Sequence, residues 1–126
     1  MATITRHPIP IYASNGEAGV LLVYPYLFNL LGEWVGWVTP NREVYSTLGF
    51  FIGHLTDDPR ILRKRNTEEP HPRMPVPPTP PAIKPPAVIP LAPLMSEVSF
   101  DMIDVLWEYP QELHTVDTGE LREDMD

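Results

Sequence analysis

Between residues 11 and 55 the chain writes one short pattern three times. Ile11-Tyr12 leads to Gly16, Leu27-Phe28 to Gly32 and Val44-Tyr45 to Gly49. Gly19, Gly36 and Gly53 stand 17 residues apart, as do Gly32 and Gly49, while Gly16 is one residue out of phase because the first copy is one residue shorter. A unit this short cannot bury its own apolar face and must stack on its siblings. The chain is therefore expected to be a small repeat assembly. The spacing by itself names no reaction and no ligand.

Each copy opens with two residues that are β-branched or aromatic in most places, as strands prefer. A turn follows, with Asn29 or Ser46 first and Gly32 or Gly49 fourth, and the first copy uses Ser14-Asn15-Gly16. Those positions fit a type I turn closed by a glycine at positive φ, which gives a hairpin with a bulge. A second apolar run then ends in Thr39-Pro40-Asn41-Arg42 or Thr56-Asp57-Asp58-Pro59, both rich in turn formers. Each copy thus reads as one β-hairpin. Gly19, Gly36 and Gly53 fall inside strands, where glycine marks a bulge or a close approach, and the nearby Trp34, Trp37, Phe50 and Phe51 suggest aromatic rings lying over them. In residues 33–38, Trp34, Gly36 and Val38 fall on one face and Val35 and Trp37 on the other. Both faces are apolar, so either the hairpins enclose a centre and are covered outside, or the second face is an oligomer interface. Residues 61–66 repeat the opening of a copy without its second half. The strand-like residues 2–5 are the expected partner.

Eleven prolines fall within residues 70–93, which rules out helix and central strand and favours an extended tether. Beyond it Glu97, Asp101, Asp104 and Glu108 form an acidic stripe at helical spacing opposite Val98, Met102, Val105 and Leu106, ended by Pro110. The expected fold is mainly β: tandem hairpin repeats over residues 1–69, a proline-rich tether over 70–95, a short acidic amphipathic helix over 96–110, and an acidic, frayed stretch over 111–126.

Residues 1–69 hold seven acids against six bases, and residues 70–126 ten against three. A near-neutral core with an acidic extension lacks the basic face that nucleic acid requires. The chain has no cysteine, which excludes disulfides, thiol nucleophiles and thiolate metal sites. MATITRHPIPIY has no continuous apolar run, so no secretory signal is expected and the cytoplasm is the expected compartment.

The hairpins resemble the four-fold β-flower family of small bacterial proteins, through Tyr12, Phe28 and Tyr45 with Gly16, Gly32 and Gly49, over residues 11–66. The resemblance implies β-hairpins set around a pseudo-four-fold axis and assigns no catalytic residue. This chain departs from it in having Leu31 and Leu48 where the family favours Asp in the tip, and in breaking off the fourth copy at Asn66.

No residue pattern announces chemistry. The four histidines, His7, His54, His71 and His114, lack metal-ligand spacing, and the serines lack a nucleophile elbow. His54 with Asp57 and Asp58 reads first as a turn. The glycine pairs Gly32/Gly36 and Gly49/Gly53 and the nearly uncharged residues 18–38 raise a membrane helix, which Pro25, Asn29, Glu33 and the 17-residue period oppose. Arg60, Arg63, Lys64 and Arg65 either solubilise a terminal strand or clasp the acidic stripe. The expectation is a non-enzymatic protein-interaction or structural module, a homo-oligomer whose tail docks on a neighbour or partner, without cofactor or metal. Trp34, Trp37, Val98, Met102, Val105 and Leu106 are its candidate contacts. The alternatives are a small-molecule-binding or enzymatic domain with an aromatic-lined centre near Trp34 and Trp37, and a membrane-associated subunit.

Overall fold

The computed structural model describes residues 7–66 and 71–116. Its strands are β1 (Ile9–Tyr12), β2 (Ala18–Val23), β3 (Tyr26–Phe28), β4 (Trp34–Val38), β5 (Glu43–Ser46), β6 (Phe51–Leu55), β7 (Ile61–Lys64) and β8 (Met102–Asp104). A one-turn helix α1 (Val105–Glu108) and a 3₁₀ turn (Pro110–Glu112) follow. The strands pair antiparallel in chain order as one sheet, curled into a half-barrel.

The turns fold as their residues dictate. In residues 13–16, 29–32 and 46–49 the glycine N–H donates to the carbonyl three residues back, at 2.9, 3.0 and 3.0 Å. Gly16, Gly32 and Gly49 have φ of 91°, 88° and 87°. These are type I turns closed by a left-handed glycine. The β4–β5 connection uses the same bonds with Arg42 in the left-handed position, φ 67°. Between β2 and β3 only Tyr24 and Pro25 intervene. This tighter turn removes the residue that makes the first copy shorter.

The register corrects two readings of the spacing. Ile11 faces Val20, Leu27 faces Gly36 and Val44 faces Gly53, and then the pairing slips so that Tyr12 meets Ala18, Phe28 meets Trp34 and Tyr45 meets Phe51. The bulged residues are Gly19, Val35 and Ile52. Gly19 is thus the counterpart of Val35 and Ile52, and Val20 is the counterpart of Gly36 and Gly53. The bulge also overturns the two-face assignment of residues 33–38, because an extra residue breaks strict alternation. Val35 and Val38 join the inner cluster, which is aliphatic and includes Ile11, Leu27, Val44 and Ile61. Trp34 joins Leu21 and Phe28 in an outer cluster, with Trp37 packed against it.

Aliphatic side chains and carbonyls, not the expected aromatic rings, lie over the strand glycines. Leu106 sits against Gly19, Leu113 and the Tyr45 carbonyl against Gly36, and Ile61 and the Leu62 carbonyl against Gly53. Leu106 and Leu113 come from the C-terminal segment, whose expected helix over 96–110 is corrected. Met102–Asp104 pairs with β7, helix within residues 96–110 is confined to Val105–Glu108, and Pro110 opens the 3₁₀ turn. The free edge of β7 offers ladder bonds that outweigh a marginal helix. β7, read from the sequence as the opening of a fourth copy, pairs with β8, and residues 2–5, its expected partner, lie outside the described residues. The expected frayed stretch is corrected where it is described, since Leu113 is part of the core, and residues 117–126 lie outside the described residues.

The proline-rich segment is extended but is no free tether. Met74 N–H donates to the Gly49 carbonyl and Ile83 N–H to the Gly32 carbonyl, both at 2.9 Å. Arg73 Nε donates to the Leu48 carbonyl at 2.6 Å, and Tyr12 donates its hydroxyl to the Pro90 carbonyl at 2.6 Å. Ile83 and Ile89 cover the outer cluster, so the second apolar face of the sheet is buried within the chain.

Candidate functional site

The two ends of the sheet meet along a seam. Tyr12 N–H, pointing away from β2, donates to the Pro59 carbonyl at 2.8 Å. Two residues on, the Ser14 N–H and hydroxyl both donate to Asp104 Oδ2, at 2.6 and 2.5 Å. Arg60 Nη1 donates to Ser14 Oγ at 2.9 Å, and Nη2 pairs with Asp58 and approaches Ser96 Oγ at 3.4 Å. Arg60 and Asp104 are only 2% and 4% exposed. Among the described residues Arg60 Nε and Asp104 Oδ1 find no hydrogen-bond partner.

The turn before β7 aims this cluster. Thr56 N–H donates to the Arg60 carbonyl at 2.9 Å, and Thr56 Oγ1 donates to Asp58 Oδ1 at 2.7 Å. Burial pushes the Asp58 carboxyl up, but hydrogen bonds from Arg60 and Thr56 and the arginine charge outweigh it and hold the group below its usual range. The possible acid-base set of His54, Asp57 and Asp58 is not brought together. His54 meets Phe51 edge-on at 5.3 Å, Asp57 pairs with Arg42 at 3.1 Å, and Asp58 serves Arg60.

A cleft of about 480 Å³ opens beside the seam, with Ser14, Arg60 and Asp104 on one side and Met95, Val98 and Met102 among its other walls. Phe100 and Trp107 also line it, and are 92% and 57% exposed. Arg65 fixes this rim by donating to the Phe100 and Met102 carbonyls at 3.1 and 3.2 Å and to Glu108 at 3.4 Å. Arg63 grips Glu112 through both guanidinium ends at 2.7 and 3.2 Å. The basic cluster therefore clasps the acidic segment. In chemical terms the Ser14 hydroxyl gives its proton to a carboxylate and accepts from a guanidinium, so both its functions are spent on closing the seam.

Of the candidate contacts, the structure brings Val98 and Met102 to the cleft and commits Val105 and Leu106 to the core. Trp34 is buried and donates its indole N–H to the Gly36 carbonyl at 2.7 Å. It also lines a second cleft, of about 380 Å³, with Glu33, Thr79, Pro80 and Ala82. Trp37 stacks on Tyr45 with ring centres 5.0 Å apart. Sequence reasoning set Arg60 and Asp104 in a possible clasp of basic cluster to acidic stripe but did not join them through Ser14, and it missed Phe100 and Trp107. The signal for the last two was that the large rings lay off the apolar stripe of the expected helix. Among the described residues no group of three or more His, Asp or Glu is placed to hold a metal ion, and no helix is long and apolar enough to cross a membrane.

No family model matches the chain, and neither a curated protein nor a solved structure is found to be similar to it.

Proposed function

We propose that the protein is a non-enzymatic interaction module that binds another protein through the seam face. The observation that carries this reading is the exposure of Phe100 and Trp107 beside a cleft whose walls are pinned by Arg60 and Arg65. Exposed large apolar side chains grouped with polar neighbours mark interaction surfaces, and aromatic residues are the usual anchors. A rigid rim lowers the entropy lost on binding. Leu91 and Leu94, on the proline-rich arm, are exposed as well. The pseudo-four-fold flower arrangement belongs to the same reading. It is supported by the like positions of Ile11, Leu27, Val44 and Ile61 in the inner cluster, with Tyr12, Phe28 and Tyr45 following on the other face.

A photo-crosslinking residue at position 107 of the full chain, used in the native host, tests the proposal. Protein adducts are expected there and not at the exposed Asn41, in the β4–β5 turn and outside the cleft lining, and Phe100→Ser should deplete them. Equal labelling at both positions, or adducts indifferent to Phe100→Ser, would overturn it.

A further inference from the structure

The hairpin tips closed by Gly16, Gly32 and Gly49 share their turn hydrogen bonds and a φ near 90°. Two of them hold a guest. The Gly32 carbonyl accepts from Ile83 N–H and the Gly49 carbonyl from Met74 N–H, each at 2.9 Å. In both, the guest's own carbonyl oxygen lies where a Cβ on the glycine would stand, so the seat exists only while that residue is glycine. Both guests are extended and have an apolar residue two places after a proline: Pro72-Arg73-Met74 and Pro81-Ala82-Ile83. The Gly16 tip has the same backbone, yet among the described residues nothing lies within 4 Å of its Cβ position.

The arm also carries an unused guest. Pro86-Ala87-Val88 repeats the motif, and Val88 and Leu91 are 80% and 95% exposed. We propose that the Gly16 tip of one copy seats residues 86–91 of a second copy, reciprocally, in a two-fold dimer. This rests on the protein-binding reading of the seam face and names the partner. The chain itself supplies both halves of the contact, and it shows the docking mode twice. Both halves also lie together, because Tyr12, at the base of the first hairpin, holds the Pro90 carbonyl at 2.6 Å. A two-fold axis beside them joins each tip to the other copy's arm at once, as a self-complementary interface requires. The guest bonds are backbone bonds to an exposed carbonyl, the chemistry by which extended peptides add to sheet margins.

Sedimentation of the full chain over a concentration series reads the dimer directly. Gly16→Asn keeps the left-handed turn, which Asn tolerates, but places a Cβ in the seat. Val88→Asp spoils the guest at a side chain that is already exposed. Each is expected to weaken dimerisation at least about tenfold, with the circular dichroism spectrum unchanged. An equimolar mixture of the two variants keeps one intact tip and one intact guest and should associate more tightly than either alone. A wild type that stays monomeric, a dimer indifferent to both variants, or a mixture no better than its components would overturn the pairing. If the wild type is monomeric while position 107 still crosslinks to other proteins, the pairing fails and the interaction reading stands.

Discussion

Arg60 is a full charge shut away from water, and it stays there because Asp58 neutralises it and Ser14 accepts from it. Such a pair adds little over a well-packed apolar substitute, but removing one partner strands the other. Arg60→Ala is therefore expected to cost about 3 kcal/mol or more in urea denaturation, far above an exposed change such as Lys84→Ala. The tip glycines separate two effects of similar origin. Gly16→Ala costs about 1–2 kcal/mol for the left-handed backbone alone. Gly32→Ala carries that cost and also drives a Cβ into the Ile83 carbonyl. The second variant should therefore melt lower than the first in dilute solution. Equal melting temperatures would mean that the arm contributes nothing at this tip.

The C-terminal segment shows how elements share one core. Leu106 and Leu113 fill the space above Gly19 and Gly36, where strands without side chains leave the half-barrel open. Leu106→Ala and Leu113→Ala should each cost about 2–5 kcal/mol, the range for emptying a packed leucine site, while the half-exposed Val98→Ala should cost much less. Hydrogen exchange at Ile103, paired with Arg63, should speed up in both leucine variants and not in the third. The turns were legible because a left-handed glycine at the fourth position is a local requirement. The aliphatic residues that open each copy, Ile11, Leu27, Val44 and Ile61, were legible as apolar strand positions for the same reason. The bulge was not, since an extra residue is defined only against its partner strand, and this is why Gly19 was matched to the wrong positions. The path of residues 102–104 depended on the open edge of β7, which no helical periodicity records. The arm was readable as extended but not as docked, because backbone N–H groups such as those of Met74 and Ile83 carry no sequence signature. The site was hidden likewise: Ser14, Arg60 and Asp104 are far apart in the chain and meet only where the sheet curls.

At the scale of the molecule, a meander leaves two ends, and a small core gains stability when those ends are tied. Here the tie is a buried polar cluster, which makes closure sensitive to acid. The Asp58 carboxyl is held below the ordinary aspartate value of 3.8. A group whose pKa is lower folded than unfolded contributes stability that is present above the unfolded value and is lost as pH falls through the folded one. The seam should therefore hold from neutrality down to about pH 4 and weaken below it. Asp58→Asn removes this contribution, so its melting temperature should be lower than wild type at neutral pH, with the gap narrowing below about pH 4. The Tyr12 amide, which donates across the seam to Pro59, gives the local readout. Its exchange protection should fall with acid in the wild type before that of Val44, whose strand is paired on both sides. A Tyr12 amide that keeps its protection while the whole sheet melts would mean that acid acts on the fold at large and that the seam is not its weakest joint.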